Sequence, residues 1–93
     1  MHVAVLSYTI RLFGINSLKE KRSLIKGLIN EIRTKFNVSI CELDLNDSKN
    51  WAQIGVAVIS SAQDVVDRVV EGITSIIENT DGVQIAEIER EGW

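Results

Sequence analysis

Two groups of residues in this 93-residue chain have types and spacing that could do chemistry. Lys19, Lys21, Arg22, Lys26 and Arg33 form a basic group, and Glu42, Asp44 and Asp47 form an acidic one. At about 100° per residue, Lys19, Arg22, Lys26 and Arg33 fall within an arc of about 60° on a helix and span about 20 Å along it. A row of four cations on that scale matches a phosphate backbone, which points to structured RNA or the ribosome as partner. An ordinary solvated helix carries similar charges, so the row is a candidate rather than a motif. Lys21 differs from its neighbours, because its position projects toward the apolar side of the same helix. A lysine there either snorkels to the sheet edge or pairs with a carboxylate, and Glu42 and Asp44 are the expected partners.

The charge balance sharpens this. The chain as a whole carries −3, yet residues 17–36 hold six basic residues against two acidic ones. That is a local +4, leaving −7 on the remainder. The total excludes an indiscriminate binder of nucleic acid, and the asymmetry points to an oriented partner.

The acidic group supports a weaker reading. On a strand, Glu42 and Asp44 share one face about 7 Å apart, and Asp47 could fold back toward them. Three such oxygens suit a hard cation. Carboxylates on an edge strand also discourage edge-to-edge pairing, and that reading is preferred. Other chemistries lack their residues. Cys41 is the single cysteine, which excludes a disulfide framework and a paired-thiol metal site and leaves it as a half-buried apolar side chain. His2 is the single histidine, at a strand end with no nucleophile placed beside it. The loop Gly14-Ile15-Asn16-Ser17 lacks the arginine and glycines of an acylphosphatase-like phosphate cradle. Tyr8, Phe13 and Trp51 are too few and too scattered for the stacking surface of a common RNA-recognition domain. No catalytic constellation and no cofactor are expected.

The elements that must position these residues follow from periodicity. Residues 2–13 are rich in β-branched and aromatic side chains and read as a nearly continuous apolar, central strand. Ser17 with Glu20 forms a capping box, and Leu18, Ile25, Leu28, Ile29, Ile32 and Phe36 give the helix that follows its apolar stripe. Residues 38–45 read as a second strand whose alternation slips between Ile40 and Leu43, as at a bulge or a sheet edge. A loop at 46–50 leads to a third strand at 51–60, with Ile54, Val56 and Val58 on one face and Gly55 and Ala57 on the other. Ser60 and Ser61 can cap a second helix at 62–79, and Asp81-Gly82 turns into a last strand at 83–90.

The order β-α-β-β-α-β predicts an α+β, ferredoxin-like domain over residues 1–93: a four-stranded antiparallel sheet with both helices on one face. Its first and third strands are central. The chain offers no membrane span and no signal-peptide pattern, so a cytoplasmic location is expected. The fold leaves one sheet face open, and an apolar open face is usually an interface. A homodimeric protein-interaction or small-ligand module is therefore the alternative to an RNA- or ribosome-associated one.

Three stretches carry a resemblance. Ser17-Leu18-Lys19-Glu20-Lys21-Arg22-Ser23, Phe36-Asn37-Val38-Ser39-Ile40-Cys41-Glu42-Leu43-Asp44 and Gly55-Val56-Ala57-Val58-Ile59-Ser60 closely resemble the YlxP family of short bacterial proteins. The resemblance runs along almost the whole chain. It implies the ferredoxin-like fold and no established activity. Family members are often encoded among translation and ribosome-maturation genes, which implies a ribosome- or RNA-linked role. The family's Ser-Leu-Lys-x-Lys-Arg motif is intact, so Lys19, Lys21 and Arg22 carry over. Its Trp-Gln-Arg-like run after the acidic loop residue is not intact: Asp47 is followed by Ser48-Lys49-Asn50-Trp51, which sets the aromatic two positions later and leaves no arginine after it.

Overall fold

Alternation of buried and exposed residues dictates how the first strand sits. The computed structural model describes residues 1–45 and 47–93. In strand β1 (His2–Leu12), Ala4, Leu6, Tyr8, Ile10 and Leu12 are buried, and the odd-numbered residues face the other way. Helix α1 (Leu18–Lys35) follows, then strands β2 (Ser39–Glu42) and β3 (Trp51–Ser60), helix α2 (Gln63–Glu78) and strand β4 (Val83–Gly92). The sheet is antiparallel throughout in the order β2-β3-β1-β4, so β1 and β3 are central as expected. This is the ferredoxin-like α+β arrangement.

One cluster of buried residues forms the core between the sheet and the helices. Ile25, Leu28 and Ile32 of α1 and Val66, Val70, Ile73 and Ile77 of α2 pack on Ile54, Val56, Val58 and the even-numbered residues of β1. The Tyr8 ring is wholly buried, and its hydroxyl shares a 2.7 Å hydrogen bond with Thr74 Oγ1. Burial pushes the Tyr8 phenol above its ordinary pKa, with the Thr74 bond opposing that shift.

Two boundaries differ from the sequence expectation, each for a local reason. Strand β2 ends at Glu42 rather than Leu45. Leu43 N–H still donates to Gln53 O at 2.7 Å, but Leu45 turns to φ 70°, which takes the chain out of the sheet. The slipped alternation marks that exit on an edge strand, not an internal bulge. The actual irregularity lies at the other edge, where the β1–β4 register shifts between Thr9 and Ile10 and leaves Ala86 unpaired. Helix α2 starts from Ala62 with no side-chain cap; Ser60 Oγ instead accepts from the Ala62 N–H at 3.2 Å. Asn46, read as the first residue of the loop, lies outside the described residues.

Helix α2 is tied to β4 by Asp67, which accepts from Arg90 Nη2 at 2.7 Å and from Gln63 Nε2 at 3.1 Å. The Arg90 bond first, and then the Gln63 bond, hold the Asp67 carboxyl below its ordinary pKa. A carboxyl lowered on folding adds stability that is present above its unfolded pKa of about 4 and lost as pH falls through the folded value. Asp67→Asn is therefore expected to lower the urea midpoint at pH 6, with the difference from the parent chain shrinking as pH falls below about 4. Parallel midpoints from pH 6 to pH 3 would contradict this role.

Candidate functional site

The cap of α1 sets the angle of every cation on it. Ser17 is extended at φ −154° and ψ 160°, and its hydroxyl accepts from the Glu20 N–H at 3.1 Å. Glu20 returns its carboxylate to the Asn16 N–H at 2.6 Å, one residue earlier than in an ideal capping box. The helix then runs 18 residues and buries Lys21, Ile25, Leu28 and Ile32 along one face.

Lys21 is the best-defined polar feature of the molecule. It is 1% exposed, and its ammonium donates to Leu45 O at 2.5 Å and Ser48 O at 2.7 Å. Glu42 Oε2 stands 3.5 Å away, making an ion pair with no hydrogen bond of its own among the described residues. The loop is shaped to present those carbonyls. Ser48 N–H donates to Leu45 O, and Ser48 Oγ accepts from the N–H groups of Asn50 and Trp51. Lys21 thus clamps the β2–β3 connection onto the start of α1. Its inclusion among the candidate phosphate-binding cations is corrected: the ammonium is enclosed, donates to two carbonyls and lies against Glu42, so it is not placed to reach a surface phosphate.

The other cations stay outside. Lys19, Arg22, Lys26 and Arg33 are all exposed. Arg33 Nη2 donates to Ile40 O on β2 at 3.0 Å, which fixes the side of α1 on which the row lies: along the free edge of the sheet. The bond also covers an edge carbonyl that another strand would otherwise pair with. Lys19, Arg22 and Lys26 make no ion pair or hydrogen bond among the described residues. By contrast, Lys35 pairs with Glu31, Arg68 with Asp64 and Arg90 with Asp67.

The acidic group does not assemble. Glu42 turns inward to Lys21, whereas Asp44 and Asp47 are exposed. Among the described residues, no three His, Cys, Asp or Glu side chains come together as a metal site. Cys41 also departs from expectation, because it is exposed on the open sheet face rather than half-buried. There it helps line a shallow groove of about 340 Å³ with Val5, Ser7, Leu43, Ala57 and Glu89.

A cluster that sequence reasoning missed lies at the end of that face. Arg11 sits 5.0 Å from the Phe13 ring centre and 5.9 Å from that of Trp51. Two signals could have found it. Residues 11 and 13 share a face of one strand, and the antiparallel register sets Arg11 opposite Trp51. The displaced aromatic of the loop thus ends on the sheet, against a cation.

Comparison with known proteins places the chain. Residues 3–90 match a family described as "Protein of unknown function (DUF503)". The chain belongs to the DUF503 family. A curated relative, "Uncharacterized protein YlxP" of Bacillus subtilis, is 30% identical over 79 residues, covering 85% of this chain and 80% of that protein. The DUF503 match spans both the α1 motif and the Lys21 clamp. Among solved structures, the de novo designed protein Foldit4 aligns over 100% of this chain and 97% of its own, with TM-score 0.58 and 18% identity. SnoaB of Streptomyces nogalater, a cofactor-independent oxygenase, aligns over 100% and 92%, with TM-score 0.55 and 9% identity. At those identities the two structures show the fold of this DUF503 chain and nothing of its activity. No helix among the described residues is long and apolar enough to cross a membrane.

Proposed function

We propose that this chain is a non-catalytic module that binds structured RNA, including RNA of the ribosome, through Lys19, Arg22 and Lys26 on α1. One observation carries the reading. These three cations are exposed on one side of a single helix, with no carboxylate or carbonyl engaging them among the described residues. A chain of net charge −3 gains nothing in solubility from an isolated +4 helix, whereas a polyanion gains a docking edge. Lys19 to Lys26 covers about 10 Å of helix, enough for adjacent phosphates. Arg33 extends the row to about 21 Å, with one of its donors already held by Ile40. Lys21 contributes indirectly, by holding the β2–β3 connection against the start of the row.

The test is charge reversal. Arg22→Glu with Lys26→Glu is expected to weaken retention of ribosomal RNA by at least about 30-fold at low salt. Both residues are exposed, so the fold is expected to survive, and unchanged circular dichroism checks that. Equal binding by the parent chain and the reversed chain would refute the reading.

A further inference from the structure

The open sheet face has an uneven charge that selects one way of covering it. The odd-numbered residues of β1 face away from the helices, and the register aligns them with Gly55, Ala57 and Ile59 of β3. Val5 is 42% exposed and Ile59 61% exposed, while Ser7, Gly55 and Ala57 leave a shallow centre between them. Along one margin, Glu87, Glu89 and Glu91 of β4 stand opposite Thr9, Ser7 and Val5. All three are exposed, and none has an ion-pair partner among the described residues. Along the other margin lies β2, with Arg33 bonded to its Ile40 carbonyl.

We infer that this face docks against a second copy of the chain about a two-fold axis parallel to the strands. An axis across the strands would set β4 on β4 and oppose the two glutamate strips. An axis along them sets β4 of one copy over β2 of the other and β1 over β3. The second copy's Val5 then meets Ala57, its Ser7 meets Gly55, and its Glu89 and Glu91 approach Arg33. Val5 thus faces a small residue while Ile59 meets Val3, and the glutamate strip lies over the margin that Arg33 reaches. The same axis brings the second copy's Arg11 toward Trp51. Twist skews the two sheets by about 30°, with the central pairs least displaced.

The area suffices. Strands β1, β3 and β4 run ten or eleven residues and β2 only four, so at about 4.8 Å spacing and about 3.3 Å per residue the face covers about 550 Å². Two such faces bury about 1,100 Å², above the about 1,000 Å² that a specific interface with good complementarity needs. The dimer shares only Arg33 with the RNA-binding row, and its test contains no RNA, so failure of one reading is distinguishable from failure of the other.

Sedimentation equilibrium on the purified chain at about 100 µM, well above a micromolar Kd, is expected to give twice the 10.4 kDa chain mass. Val5→Glu and, separately, Ala57→Asp are expected to give monomers with unchanged circular dichroism. Glu89→Arg is expected to weaken the dimer at least tenfold, and adding Arg33→Glu to restore it. A short bismaleimide is expected to join Cys41 to the cysteine of Glu89→Cys across copies, since facing sheets lie about 10 Å apart. A monomer at that concentration overturns the proposal. So does efficient Cys41–Cys41 linkage in the parent chain, which would require the axis across the strands. A monomer that takes up a basic amphipathic peptide on this face would overturn it in favour of another occupant.

Discussion

Lys21→Met is expected to destabilise the protein by about 3 kcal/mol, at the lower end of the range for removing one partner of a buried ion pair. The lower end applies because Glu42 retains 24% exposure and so keeps some water around its carboxylate. The loss has two sources. The Glu42 charge is left without its cation, and the Leu45 and Ser48 carbonyls lose their donor. Methionine fills much the same volume, so cavity formation contributes little. For a domain of this size the melting temperature falls by about 12–24 °C. Adding Glu42→Gln is expected to recover part of that loss, because it removes the orphaned charge but not the orphaned carbonyls. Denaturant titration of both singles and the double gives the coupling directly. A Lys21→Met chain within 0.5 kcal/mol of the parent, a spread of about the size seen for ordinary surface changes, would contradict the clamp. Below its own melting temperature the same variant is expected to bind RNA as the parent does, which separates the lysine that holds the fold from those proposed to meet RNA.

The second large effect inverts a familiar rule. Glycine to alanine inside a helix normally stabilises by up to about 1 kcal/mol. Gly72→Ala in α2 is expected to destabilise by about 2 kcal/mol instead, because overpacking against a stiff ring forces it to move. A Cβ at Gly72 would lie 2.5 Å from Phe36 Cζ and 3.1 Å from Phe36 Cε1. Gly27 in α1 supplies the control: a Cβ there meets nothing within 4 Å, so Gly27→Ala is expected to stabilise. In a Phe36→Leu background, Gly72→Ala is expected to change sign and stabilise as well. Urea midpoints of the parent and these four variants (Gly72→Ala, Gly27→Ala, Phe36→Leu and the Phe36→Leu, Gly72→Ala double) check this, and a stabilising Gly72→Ala in the parent would show that the ring yields freely.

What the sequence discloses about this molecule follows the range of the interactions. Ser17 and Glu20 mark the start of α1 because a cap is decided within four residues. The inward direction of Lys21 is equally legible, since it lies four, seven and eleven residues before Ile25, Leu28 and Ile32 on one helical face. That Glu42 would meet it follows from β2 succeeding α1. The rest of its coordination is not legible, because the acceptors at Leu45 and Ser48 are backbone carbonyls, which carry no residue signature. The same holds for Arg33 and Ile40 O. The contact of Phe36 with Gly72 joins residues far apart in the chain, and only the folded packing of α2 brings them together. The acidic group shows that nearness in sequence does not fix a shared direction. Glu42, Asp44 and Asp47 are close in sequence, but strand exit at Leu43–Leu45 separates their directions, and one of them is drawn inward.

If Lys19, Arg22 and Lys26 engage phosphates, as proposed, the affinity of the chain for RNA depends steeply on salt. Neutralising three phosphates predicts a slope of about −2 to −3 for log K against log salt concentration. Arg22→Glu and Lys26→Glu are each expected to flatten that slope by about one, whereas Lys35→Glu, whose parent lysine is already paired with Glu31, leaves it nearly unchanged. A slope near zero in the parent chain, or equal flattening by all three substitutions, would contradict the account.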